Sequence, residues 1–272
     1  METKLKVWTG LGLATALAGT SLAGCSRDEN AADTADPGPA IAGEAGGEGE
    51  GGEGEGGVDF TSAATDPVEY GSALAVAEAH AIAARDAFAI GRTSEAAEMF
   101  GHPVSEVLAD MDPVFAELGV ADMKPLFLAA SAAAQAGESQ EQVTARFDDI
   151  MEALDAAKAQ APDDGTGEAM VAAGVAADQI ERAVTMYQQA SQSEAYEPYL
   201  DGYGFYKAAQ AAFDGQVAAI RAEDADLHAS IAAALKLLSS AYPSVERPAT
   251  LAANQGELLA AGSRVNLAAQ RP

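Results

Sequence analysis

The chain is poor in the residues that usually staple a fold or carry catalysis. One cysteine in 272 residues leaves no partner for an intrachain disulfide and no set of thiolate metal ligands. Histidine occurs three times, as His80, His102 and His228. Basic residues number 15 against 42 acidic ones, a net charge of −27. Nucleic-acid binding rests on Lys and Arg neutralising phosphates, so this balance argues against that class of partner. It argues equally against adhesion to an anionic leaflet by electrostatics. Missing too are a Gly-x-Ser-x-Gly elbow, a His-Glu-x-x-His pair and a phosphate-cradling glycine loop. Acidic pairs are so abundant that chance neighbours are certain, and none stands out as a general acid and base. The expectation is a non-enzymatic protein whose helical domain acts as a binding or scaffolding module. Runs of alternating β-branched residues are also lacking, which removes the usual signature of strands.

The N-terminus shows a secretory pattern. Lys4 and Lys6 precede an apolar run from Leu11 to Gly19, too short to span a bilayer stably. The end of this segment, Leu22-Ala23-Gly24-Cys25, resembles the lipobox of bacterial lipoproteins, with small residues before the cysteine. The resemblance implies cleavage before Cys25, a diacylglyceryl thioether on its sulfur and an acylated amino group. Several acyl chains, each methylene adding about 0.8 kcal/mol, hold a protein on a membrane where one chain would not. Loss of residues 1–24 removes Lys4, Lys6 and Glu2, so 15 basic residues become 13 and 42 acidic become 41. Ser26 rather than an acidic residue follows Cys25. In bacterial lipoproteins that choice implies sorting to the periplasmic face of the outer membrane of a Gram-negative host.

Residues 25–65 read as a lipidated, disordered tether. Between Gly43 and Gly57 glycines alternate with Glu44, Glu48, Glu50, Glu53 and Glu55. Nothing apolar there repays the ordering entropy, and like charges extend the chain. A Gly-rich segment of about 40 residues spans about 35 Å.

From residue 66 to 272 the pattern is helical, and the fold class expected is an all-α bundle of seven or more helices. Asp66-Pro67 is an N-cap followed by proline at the first helical position. Leu74, Ala77, Ala81, Ala84 and Phe88 then recur at helical spacing up to Gly91. A short helix begins at Thr93, and His102-Pro103 reads as the start of another. Further helices are expected from Pro125 to Ala136, Ser139 to Gln160, Glu168 to Gln189, Leu200 to Arg221, Asp226 to Tyr242 and Leu251 to Ala261. Ser139 with Gln142 three residues on marks a capping box. Much of the apolar stripe is alanine, so helix axes can approach closely while Phe, Leu, Ile and Tyr supply most of the buried area.

Two sets of residues are candidates for function. His102 and Glu106 are four apart at a helical segment, so both side chains can face one way and share a cation. Gly101-His102-x-x-x-Glu106 is similar to the Gly-x-His-x-x-Glu signature of imelysin-like proteins, with one residue more between histidine and glutamate. The resemblance implies an exported helical bundle with a His/Glu site for iron or another divalent metal. His80 completes a three-ligand set if the first helix packs against the His102 segment. The other reading of His102 and Glu106 is local: a helix start with an acid near its positive end. His228, in an acidic first turn, is expected to face solvent.

The second set is Tyr196, Tyr199, Tyr203 and Tyr206, spaced three, four and three, with Glu197 and Asp201 beside them on a continuous helix. Such a row can stack on a ligand, coordinate ferric iron or anchor a protein partner in the envelope. It can equally pack against neighbouring helices. Pro198, Gly202 and Gly204 predict that the helix is interrupted here.

Overall fold

Alanine determines how closely the helices of this protein approach one another. A computed structural model describes residues 59–270; the expected signal segment, Cys25 and the expected tether up to residue 58 lie outside the described residues. Among the described residues there are ten α-helices, one π turn and no strand. They are α1 (Pro67–Ala89), α2 (Thr93–Pro103), the π turn Val104–Leu108, α3 (Asp112–Leu118), α4 (Lys124–Gln135) and α5 (Gln140–Lys158). The second half comprises α6 (Glu168–Gln192), α7 (Glu197–Asp214), α8 (Val217–Glu223), α9 (Ala225–Ala241) and α10 (Gln255–Ala269).

α1 is the central helix. Its alanines at 73, 77, 79, 81, 83, 84 and 87 are all buried, together with Tyr70, Leu74 and Val76. Little of such a helix faces solvent, and α2, α5, α6 and α7 all pack on it. Three of its polar side chains, Ser72, Glu78 and His80, are therefore buried. The start of α1 is set by Asp66, whose carboxylate accepts from the Val68 and Glu69 N–H groups at 2.8 and 3.2 Å. Gly91, at φ 83°, ends it. At α5 the Ser139–Gln142 capping box forms as expected, Ser139 N–H donating to Gln142 Oε1 at 3.0 Å.

α6 and α7 form a hairpin across residues 193–196 and lie along each other and along α1. α9 and α10 cover the far side of α6. Aromatic anchors fill the spaces that alanine leaves: Tyr70, Tyr187, Tyr199, Tyr242, Phe100, Phe127 and Phe205 are all fully buried. Burial of such side chains contributes about 1.5–3 kcal/mol each.

Several boundaries differ from the sequence expectation. Residues 60–65 are turns held against the bundle, with Ala63 buried, so ordered structure begins before Asp66. The helix expected over Leu200–Arg221 breaks at Gly215-Gln216 into α7 and α8, while its start moves back to Glu197. Pro103 does not open a new helix but closes α2. It has no N–H to donate into the preceding turn, and the chain widens directly after it into the π turn. The last helix starts at Gln255, because Asn254 rather than Leu251 supplies the cap: its Oδ1 accepts from Gly256 N–H at 2.9 Å.

The largest correction concerns α7. Gly202 and Gly204 do not interrupt it; they lie inside an unbroken helix. A Cβ on Gly204 would stand 2.5 Å from the Ala79 carbonyl oxygen, and one on Gly202 would overlap the Tyr242 hydroxyl. These glycines exist so that α7 can lie against the backbone of α1 and against Tyr242. Pro198, at the start of α7, occupies the first turn, where its missing N–H costs nothing.

Candidate metal centre

Three segments meet where α7 touches α1: α1, the continuous run of α2 and the π turn, and α7. His80 comes from the middle of α1, His102 from the last turn of α2, Glu106 from the π turn, and Asp201 from the second turn of α7. The close approach at Gly204 and Ala79, one residue before His80, brings the two long helices together at this level.

The donor atoms converge. His80 Nε2 lies 3.5 Å from Glu106 Oε2 and 3.8 Å from Asp201 Oδ1. His102 Nδ1 lies 3.7 Å from Glu106 Oε1, and the two imidazole rings are 5.7 Å apart between centroids. One ligand atom each from His80, His102 and Asp201 lies within 4.8 Å of the others. Donors around one ion, at about 2.0–2.2 Å from it, are at most about 4.4 Å apart, so a small rotamer adjustment closes the set. Exposure falls along the cluster: Glu197, 3.9 Å from His102 Nε2, has a side chain 64% exposed, His102 and Glu106 are 24% exposed, and His80 and Asp201 only 1%.

Protonation is set by the surroundings. His80 Nδ1 is 2.8 Å from the Val76 carbonyl oxygen, which can only accept, so Nδ1 carries the proton and Nε2 presents its lone pair. Burial pushes the His80 imidazole down to about 4, with the Val76 hydrogen bond opposing and His102 and Arg182 adding. At neutral pH it is therefore an uncharged ligand with fixed tautomer and orientation, held at its edge by Phe205 at 5.6 Å. Burial raises the Glu106 carboxyl above its ordinary value, His102 working against the shift and Glu197 with it. Both His80 Nε2 and Glu106 Oε2 are buried and find no hydrogen-bond partner among the described residues. Two electron-pair donors facing each other at 3.5 Å need a cation or a proton between them.

Each sequence candidate has a defined place. His80, His102 and Glu106 come together. Asp201 joins them; reading the sequence set it only beside the tyrosine row, and its one signal was an acid four residues after Glu197 on an otherwise apolar helix face. His228 is half-buried rather than in solvent, its ring 5.2 Å from that of Phe213.

The tyrosine row packs into the bundle instead of lining an open surface. Tyr199 is fully buried and Tyr203 and Tyr206 nearly so. The Tyr196 and Tyr199 hydroxyls donate to the Val245 and Ser244 carbonyls at 2.8 and 2.7 Å, tying down the segment after α9. Tyr203 donates to Asp86 Oδ2 at 2.7 Å, and Tyr206 stacks on Tyr242 with centroids 6.4 Å apart. Burial raises all four phenols, Tyr196 to about 12, which disfavours the phenolate that ferric iron requires.

No protein-family model matches the chain, and neither a curated protein nor a solved structure matches it.

Proposed function

We propose that the protein is an exported, lipid-anchored metal-binding protein, its helical domain taking one divalent ion between His80, His102, Glu106 and Asp201. The observation that carries this reading is the facing pair His80 Nε2 and Glu106 Oε2, both buried and neither hydrogen-bonded. Two neutral imidazoles and two carboxylates are borderline ligands, suited to Fe²⁺, Zn²⁺ or Mn²⁺ and poorly suited to a soft ion such as Cu(I). With two carboxylates ionised, the centre balances a divalent charge.

The likeness of Gly101, His102 and Glu106 to the imelysin signature agrees with this reading, and the anchor at Cys25 would hold the site in the bacterial envelope. The ligand set is assembled from three segments, and the helix pair around it has tight contacts at Gly204. Both features suit retention of an ion more than its rapid turnover.

Purified protein is incubated with ferrous iron, zinc or manganese, desalted and analysed for metal. One ion per chain is expected, lost in His80→Ala and His102→Ala. Absence of stoichiometric metal, or equal loading of both variants, refutes the centre. The domain would then be a non-enzymatic scaffold, as its composition alone suggests.

A further inference from the structure

On the face of α1 opposite His80, a cleft of about 690 Å³ opens between α1, α6 and α7, closed at one end by the segment joining α5 to α6. Its volume lies within the range of small-molecule sites. The floor is made of residues too short to fill it, among them Gly71, Ala75, Ala172, Ala208 and Ala211. It is also firm: a Cβ on Gly71 would stand 2.8 Å from Val175 Cγ2, so α1 and α6 are already in contact beneath it.

One charged group lies deep in this wall. Glu78 is only 7% exposed, yet its carboxylate lines the cleft. Its counter-charge is not another core residue but Lys158, which reaches in from the rim with a side chain 40% exposed. Lys158 Nζ sits 2.7 Å from Glu78 Oε2 and 3.2 Å from Asp155 Oδ1. The lining also includes Asp163 and Glu168, so it holds three acidic residues and one basic residue. An anion would meet net repulsion here, and a neutral apolar molecule would gain nothing from the acidic lining. The chain's own lysine shows that an ammonium fits on Glu78, and Asp155 is placed to keep Lys158 paired once it is displaced.

We propose that this cleft binds a small organic amine, its ammonium on Glu78 and its apolar body on the alanine floor. The site is independent of the metal centre, which lies on the other side of α1. Both faces of one buried helix thus carry a polar group directed into a place for a ligand.

The test is calorimetric titration of the metal-free protein with hexylamine and, as the charge-inverted control, hexanoate, in 0.15 M salt to screen the general attraction of an acidic protein for cations. Hexylamine is expected to bind one per chain, at least ten-fold more tightly than hexanoate. Glu78→Gln should weaken it at least ten-fold, and so should Ala172→Leu, which fills the floor from a half-buried position and keeps the charge. His102→Ala should leave it unchanged, separating this site from the metal centre. Binding of hexanoate as tight as the amine, no saturable amine binding, or amine binding unaltered in both Glu78→Gln and Ala172→Leu would overturn the proposal.

Discussion

At the scale of the residue, His80 is the most informative side chain. Its folded value of about 4 lies below the ordinary 6.5, so between these limits the unfolded chain takes up a proton that the folded one refuses. Stability is then undiminished above pH 6.5 and falls as pH drops towards 4, by about 3 kcal/mol at the limit, at about 1.4 kcal/mol per unit. The groups facing His80 are His102 from α2, Glu106 from the π turn, Asp201 from α7 and Arg182 from α6. Glu106, raised by burial, acts in the opposite sense just above its ordinary value, where the folded protein keeps a proton that the unfolded chain releases. Metal-free protein melted between pH 7 and 4 should lose stability progressively below 6.5, and His80→Gln should flatten that slope. Equal slopes in the two proteins would mean that His80 is not held neutral. Glu197 makes a second test. Standing exposed beside His102, it is placed to meet an incoming ion first. Stopped-flow mixing with Zn²⁺ should show slower capture by Glu197→Gln with little change in release, whereas Asp201→Asn should speed release.

At the scale of the element, α7 decides whether the centre assembles. Gly204 lets its backbone approach that of Ala79, and Asp201 and Phe205 are carried onto His80 by the same contact. Gly204→Ala would raise helix propensity by about 1 kcal/mol in isolation. Here the added methyl meets main chain, which cannot swing aside, so the net effect should be a loss of about 2–3 kcal/mol in chemical denaturation. An unchanged or raised midpoint would show that α1 and α7 are less closely fitted. The π turn plays a matching part in α2. His102 and Glu106 stand four residues apart across the widened turn, and both side chains face His80 on α1.

At the scale of the whole molecule, the proposed architecture is a compact acidic domain held near a membrane by lipid rather than by charge. A net charge of −27 repels an anionic bilayer, so in the proposed architecture retention would come from acyl chains on Cys25. Cys25→Ser in the full chain, followed by fractionation, should move the protein from the membrane pellet to the soluble fraction. Continued membrane association after carbonate washing would remove the anchor from the account. None of the described helices is long and apolar enough to cross a membrane.

Helix positions were legible in the sequence because their causes are local. Asp66-Pro67, the Ser139–Gln142 box and Gly91 act within a turn of themselves, and the three- and four-residue apolar spacing repeats wherever a helix has a buried side. Local reasoning failed where a residue serves a distant partner. Gly202 and Gly204 read as breakers because their neighbours, Tyr242 and Ala79, are far away in the chain. The tyrosine row stayed open between a binding face and core packing because nothing in its spacing reveals which helices cover it. His102 and Glu106 could be paired from their separation, while His80 required a packing assumption and Asp201 could not be assigned to them at all. By itself, then, the sequence determined an all-α domain, the ends of most helices and half of the candidate centre. Only the tertiary structure decided that α1 is buried along most of its length, that α7 reaches its backbone through glycine, and that four donors from three segments share one small volume. The physical reason is that helix formation is settled by neighbours along the chain, whereas a site of this kind depends on which helix faces meet.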